Sequence, residues 1–226
     1  MKVAVVTAGS EDFLPLAAVT SPSKKRYAEK HGYDFYAFIT PKEMGDACKY
    51  ECYKQLADKG YDIYFWIDQD ALIMNSEHTV EWLMQAYMIW DWGKDLLVRA
   101  RPTWHKHFLW GYDHAGPNSG VYLAAYTPEA RHFMDRAYAT MLENGLADET
   151  AMEMTMLTPP FNEWVCVIPG VHLNAYDYTK YGWDKYGVEH GRKINLYEPG
   201  RFILHMPGYP NSVRIPELTK RAAEAT

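Results

Sequence analysis

The chain has 226 residues, of which 48% are hydrophobic and 23% charged, an ordinary globular balance that excludes disordered, collagen-like and coiled-coil classes. Its 23 basic and 29 acidic residues give a formal charge of −6, and no basic run is longer than Lys24-Lys25-Arg26, which argues against a partner bound through a nucleic-acid backbone. Cys48, Cys52 and Cys166 make neither a disulfide framework nor a zinc pattern. With no signal h-region and no apolar run near the ~18 residues of a membrane span, the expected setting is reducing and cytoplasmic.

The β-branched run at 2–7 ends at Thr7-Ala8-Gly9-Ser10 and predicts a buried strand followed by a loop. Ser21-Pro22 reads as an N-cap with proline at the first helical position, and Gly32 as the stop after His31. Residues 33–39 predict a second strand, closed by Pro41. Residues 47–59 predict a helix with Cys48, Cys52 and Leu56 on one face and a stop at Gly60. Residues 61–67 predict a third strand. This βαβαβ order with short connections calls for a parallel sheet covered by helices on both faces.

A helix near 79–89, a strand at 95–100, a long polar and aromatic loop at 101–117 and a strand at 119–125 are expected next. Helices follow from Pro128 to about Asn144 and over 148–157, then one or two strands at 164–173. After an irregular Tyr- and Gly-rich stretch at 174–199, the last predicted strand is Arg201-Phe202-Ile203-Leu204. No linker or repeat divides the chain, so the expected class is a single α/β domain. The loops at 101–117 and 174–199 exceed ordinary connection lengths and are functional candidates. The 15% aromatic content, with 18 Tyr and 8 Trp, suits a partner with an apolar face and a polar rim such as a sugar, although core packing alone could absorb it.

Asp68-Gln69-Asp70 directly follows the apolar strand Ile63-Tyr64-Phe65-Trp66-Ile67. Ligands of open parallel sheets bind outside the carboxyl ends of the strands, and there two carboxylates two residues apart can share a divalent cation on a diphosphate. The bland alternative makes one Asp a cap and leaves the other solvated. Two acids after a central strand, however, repel each other and are costly to bury without a counter-charge.

The segment Trp66-Ile67-Asp68-Gln69-Asp70-Ala71-Leu72-Ile73-Met74-Asn75 resembles the signature of metal-dependent GT-A glycosyltransferases. It is most similar to the galactosyl-, mannosyl- and xylosyltransferase family, with kinship to the glycogenin-like group. The resemblance implies a Rossmann-like, mixed and mainly parallel sheet flanked by helices, with a nucleotide-binding half over 1–75 and an acceptor-binding half over 76–226. It implies a metal, Mn²⁺ or Mg²⁺, held by Asp68, Asp70 and His205 of His205-Met206-Pro207-Gly208. It also implies donor contacts from Thr7, Ala8, Lys49, Asp68, Gln69, Ser119, Gly120 and Gly208, and catalytic placement of Asn118, Asp148 and Glu149. Relatives often carry Gln at the position of Glu149, which leaves its role open between sugar hydrogen bonding, electrostatic stabilisation and transient nucleophile. Relatives also follow Gly208 with a phosphate-pairing Lys that is missing here, and Arg214 is the candidate substitute.

The residues carry bland readings as well. Pro117-Asn118 is ordinary turn chemistry, Asp148 and Glu149 suit any helix start, and Lys49 could be a solvated lysine. Trp104, Trp110 and Tyr112 are candidate acceptor-stacking residues beside His105, His107 and His114, which could alternatively hold a second metal. Arg99 and Arg101 alternate on one predicted strand and face either the site or solvent.

The implied activity is metal-dependent transfer of a hexose or pentose from a nucleotide sugar, a UDP-sugar being the first expectation, to a glycan or glycolipid hydroxyl, with retention of configuration. An inverting GT-A transferase, a non-catalytic carbohydrate- or nucleotide-binding module and a haloacid-dehalogenase-type phosphatase are the rivals. The last normally puts its Asp pair after the first strand, whereas here it follows the third. Eukaryotic relatives carry a membrane anchor. Its lack here leads to the expectation of a bacterial or viral cytoplasmic enzyme, with peripheral membrane contact left open.

Overall fold

Strand β1 (Val3–Gly9) lies inside the sheet, so both its faces are apolar: Val3 and Val5 point into one layer, Ala4 and Val6 into the other. The structure, a computed structural model, describes residues 1–86, 97–101, 118–169 and 197–226 together with 173, 175–176, 188–189 and 192–193. Helix α1 (Leu14–His31), β2 (Asp34–Ile39), α2 (Cys48–Leu56), β3 (Ile63–Ile67), β4 (Ala71–Ile73) and α3 (Val80–Ala86) follow. Next come β5 (Leu97–Arg101), β6 (Val121–Ala125), α4 (Pro128–Asn144), α5 (Asp148–Met156), α6 (Phe161–Trp164) and β7 (Val165–Pro169). The short strands β8 (Ala175–Tyr176), β9 (Val188–Glu189), β10 (Arg192–Lys193) and β11 (Ile203–His205) precede α7 (Asn211–Ala222).

The main sheet has the order β2-β1-β3-β6-β5-β7. Strand β6 runs antiparallel to both neighbours, and the other adjacent pairs are parallel. Helices α1 and α3 cover one face with Tyr27, Ala28, Val80, Leu83 and Met84. Helices α2, α4 and α5 cover the other with Tyr50, Tyr53, Phe133 and Met152. This is a mixed, mainly parallel α/β domain. A second small sheet, β4-β11-β8, folds back against α1 and α7 through Leu16, Leu72, Met74, Leu204, Met206 and Leu218.

Helix α1 differs from the sequence expectation: it starts at Leu14 with Pro15 in its first turn, and Pro22 lies inside it. Ser21 is therefore not its N-cap. The inward stripe Leu16, Thr20, Ser23, Lys24, Tyr27 and Ala28 is buried without interruption past Pro22, and that burial outweighs the ~3 kcal/mol of an interior proline. Pro22 and Ala18, whose carbonyl loses the Pro22 N–H, are both exposed, so solvent can satisfy that carbonyl. Strands β4, β8, β9 and β10 and helices α6 and α7 were not among the predicted elements. Pro210 before α7 and Pro216 inside it disguise its period.

Cys48 and Cys52 share the buried face of α2 as expected, and burial pushes both thiols up to about 12. Much of the aromatic content is core: Tyr27, Tyr50, Tyr53, Tyr64, Tyr122 and Trp66 are among the largest fully buried side chains. Among the described residues no helix is long and apolar enough to cross a membrane.

Candidate functional site

The Asp68-Gln69-Asp70 turn links β3 of the main sheet to β4 of the small one, and three backbone contacts set its shape. The Asp68 N–H donates to the Gly120 carbonyl at 2.7 Å, the Ala71 N–H to the Asp68 carbonyl at 3.2 Å, and the Met206 N–H to the Asp70 carbonyl at 3.0 Å. Antiparallel pairing of β11 with β4 sets His205 opposite Ala71. As a result His205 Nε2 lies 3.0 Å from Asp70 Oδ1, and ligand atoms of Asp68, Asp70 and His205 all fall within 4.8 Å of one another. Gly120 makes this possible, because a Cβ there would stand 2.2 Å from His205 Cε1. Three segments far apart in sequence thus meet at one point. Two carboxylates and an imidazole at this spacing fit a Mn²⁺ or Mg²⁺ ion.

In front of the turn, Lys49 is a buried hub. Its Nζ lies 2.7 Å from Asp148 Oδ2 and 3.2 Å from Asp68 Oδ1, and donates to the Ser119 carbonyl and hydroxyl at 3.2 Å each. Burial alone would pull this lysine down, but the Asp148 and Asp68 carboxylates override it and hold it well above its ordinary range. Asp148 is desolvated too, yet Lys49, the Ser119 hydroxyl and the Glu149 N–H keep its carboxyl below the usual value. The solvated reading of Lys49 is therefore excluded. Trp66, on the same face of β3 two residues earlier, donates Nε1–H to Asp68 Oδ1 at 2.7 Å. Asn118 bridges the remaining parts: its Oδ1 accepts the Gly120 N–H at 2.7 Å and its Nδ2 faces Glu149 Oε2 at 3.5 Å.

Behind the turn, Thr20 donates its hydroxyl to the Gln69 carbonyl at 2.7 Å and Lys24 Nζ donates to the Asp68 carbonyl at 2.8 Å. Burial lowers Lys24 to about 7 against the fields of Asp70 and Asp68. Thr7 is fully buried and its hydroxyl faces Lys24 at 3.5 Å, whereas the next residue, Ala8, turns to the open side. From α7, Arg214 Nη1 donates to Asp70 Oδ2 at 2.6 Å, with its guanidinium over the Phe13 ring. Burial raises Asp70, but His205 and Arg214 more than offset it, so the carboxyl sits at about 2.

The open side is a cleft of about 410 Å³, lined by Ala8, Thr40, Asp46, Lys49, Gln69 and Arg214 among others. Gln69 lies on its floor with Oε1 buried and without a hydrogen-bond partner among the described residues. Gly9 leaves room for it, since a Cβ there would stand 2.5 Å from that oxygen. Gly208, exposed and at φ 75, lies three residues beyond His205. Trp104, Trp110, Tyr112, His105, His107 and His114 lie outside the described residues, as do the side chains of Arg99 and Arg101. Sequence reasoning missed Trp66, Thr20 and Lys24 as supports of the turn. Their signal is present in retrospect: Leu16, Thr20, Lys24 and Ala28 recur every four residues, which places one charge on an otherwise buried stripe.

No family model matches the sequence, and no curated protein does. Solved structures do match in fold. A glycosyltransferase involved in the glycosylation of the major capsid of PBCV-1 superposes with a TM-score of 0.72 at 15% identity, covering 97% of this chain and 100% of that one. The galactosyltransferase LgtC, solved with donor and acceptor sugar analogues, superposes with a TM-score of 0.56 at 12% identity, covering 99% of this chain and 96% of that one. The glycosyltransferase GlyE of Streptococcus pneumoniae TIGR4 gives 0.61 at 14% identity over 98% of this chain and 60% of its own. The chain thus has the GT-A fold of these glycosyltransferases.

Proposed function

We propose that this GT-A domain is a metal-dependent glycosyltransferase that moves a hexose or pentose from a nucleotide sugar, first of all a UDP-sugar, to a hydroxyl of a glycan or glycolipid, with retention. The observation that carries this reading is the meeting of Asp68, Asp70 and His205 at the carboxyl end of β3, with both carboxylates on the wall of the cleft. In this reading the half over 1–75 holds the nucleotide and the half over 76–226 the acceptor. Asp68, Asp70 and His205 hold Mn²⁺ or Mg²⁺, which when bound neutralises charge on the departing diphosphate.

The chain's own groups do the rest. Ala8 lines the strand end against the nucleoside, with Gln69 on the cleft floor beside it, while Thr7, expected as a donor contact, is buried behind the turn with its hydroxyl toward Lys24. Arg214, cationic and on the cleft wall, is placed to pair with phosphate oxygens, and Gly208 lets the backbone approach them. Asn118, Asp148 and Glu149 hold the sugar ring, and the carboxylates stabilise positive charge developing at its reacting carbon. Lys49 keeps Asp148 ionised for that task and braces Asp68. The sugar–phosphate bond breaks as the acceptor oxygen bonds to the same face of the carbon, and the acceptor proton passes to the leaving phosphate oxygen.

Calorimetric titration with UDP and then GDP, with and without Mn²⁺, tests the reading. The expected result is metal-dependent binding of one nucleotide, lost in Asp70→Ala and His205→Ala. Binding of neither nucleotide in the presence of Mn²⁺ overturns it.

A further inference from the structure

Helix α1 buries Tyr27 and Ala28 against the main sheet and packs Leu16 and Val19 against the small sheet and α7, which leaves a third face turned outward. Along that face Leu14, Pro15, Ala18 and Pro22 are exposed, Leu14 at 44%. No residue from Phe13 to Ser23 carries a charge, whereas the outward face of a surface helix normally holds polar and charged side chains. At the end of β1 that leads into α1, Gly9 pairs with Ile39 of the edge strand β2. Ile39 shares with Phe35 the side of the sheet that α1 covers, and is 63% exposed. The apolar surface thus extends beyond the helix itself.

Charge returns at the two ends of this face with opposite sign. Glu11 and Asp12 precede the helix, Lys25 and Arg26 lie in its second half, and all four are exposed. Asp12 is paired with Lys42, while Lys25 has the exposed Glu29 at 3.8 Å, a pair of little worth. Glu11 and Lys25 stand at equal distances in sequence on either side of Ala18. A second α1 laid antiparallel across the first at Ala18 therefore sets Leu14 against Pro22 and brings Glu11 of each copy to Lys25 of the other, twice over by symmetry. Ala18, the smallest side chain on the face, lets the helices cross closely, and an interfacial water can serve its carbonyl, which Pro22 leaves without an N–H. A parallel arrangement would oppose Lys25 to itself. A lipid surface fits less well, since anionic headgroups that attract Lys25 and Arg26 repel Glu11.

We propose that this face of α1 is a homodimer interface, in which two copies of the chain cross antiparallel at Ala18 about a two-fold axis. The inference is independent of the donor reading. Two crossing helices with a flanking strand bury less than the ~800 Å² per partner of a standard interface, so the expected dimer is weak, with a Kd of about 10–100 µM. Its test is sedimentation equilibrium of the full chain from about 5 to about 500 µM, because dimerisation follows mass action. The wild type is compared with Ala18→Glu, Lys25→Glu and the charge swap Glu11→Lys with Lys25→Glu, and each is melted. Wild type and Ala18→Glu are also floated with vesicles of phosphatidylcholine and phosphatidylserine.

The wild type is expected to pass from monomer to dimer over that range and to leave the vesicles unbound. Ala18→Glu, which keeps a good helix former on an outward position, is expected to stay monomeric with an unchanged melting temperature. Lys25→Glu sets Glu11 against a carboxylate and is expected to weaken the dimer about fivefold or more, and the charge swap to restore it to within about twofold of the wild type. A wild type that is monomeric at the highest concentration, a dimer that survives Ala18→Glu or is unaffected by Lys25→Glu, or a loss that the charge swap does not recover overturns the proposal. If Ala18→Glu does not fold, Lys25→Glu and the charge swap decide alone. Vesicle binding by the wild type that Ala18→Glu abolishes assigns the face to lipid and likewise overturns it.

Discussion

Lys49 and Lys24 flank the same turn from opposite sides, both fully or almost fully buried, yet their surroundings differ in kind. Lys49 meets two carboxylates within 3.2 Å, while Lys24 meets a carbonyl and two hydroxyls. Burial pulls both down, and only the carboxylates reverse it, so Lys49 rises well above its ordinary range while Lys24 falls to about 7. The front of the turn is a charge-paired network and the back a hydrogen-bonded anchor.

The largest effect that separates them is on stability. Lys49→Met strands the Asp148 carboxylate and is expected to cost about 3–5 kcal/mol in urea unfolding. Lys49→Met with Asp148→Asn recovers most of that loss, and a single-variant cost under about 1 kcal/mol breaks the comparison.

Acid probes the Asp70 end of the network. Asp70 has its carboxyl lowered from 3.8 to about 2, so the stability it contributes is complete above pH 3.8 and disappears as pH falls through about 2. That contribution is about 2–3 kcal/mol. Unfolding curves between pH 5 and pH 2 check it, and Arg214→Met is expected to flatten the slope.

Next in size, Gly120→Ala pushes a methyl group against His205 and costs about 1–3 kcal/mol. Its metal-dependent nucleotide binding, followed by calorimetry, is expected to fall by more than the stability does. The smallest effect is that of Lys24→Met on unfolding, within about 1 kcal/mol of the wild type or stabilising, because loss of the carbonyl contact is offset by removal of a buried charge.

The first half of the fold is legible in the sequence because its signals are local: β1 and β3 are continuous apolar runs, and Gly32 ends α1 at φ 69. The site residues on turns and strand ends, Asp68, Asp70, Asn118, Gly120 and His205, are legible through motifs and adjoin one another. The start of α1 is not, because Pro22 looks like a boundary until the stripe is seen to be buried along its length, Leu16 against the small sheet and α7, Tyr27 and Ala28 against the main sheet. The antiparallel direction of β6 is set by its partners and leaves no mark on its own residues. Trp66 is read as strand core, which it is, while its indole N–H also fixes Asp68. Lys24 is hidden for the opposite reason, standing in a basic run that looks solvated.

The pairing of β11 with β4 also has a consequence in time. His205 lies 135 residues beyond the Asp70 that it meets, so closing that loop is a late and entropically costly event in folding. A nascent chain extended only as far as β6 carries both carboxylates but not His205. The proposed ligand set is therefore completed only when the C-terminal segment docks, and a partly folded chain lacks the cluster of Asp68, Asp70 and His205.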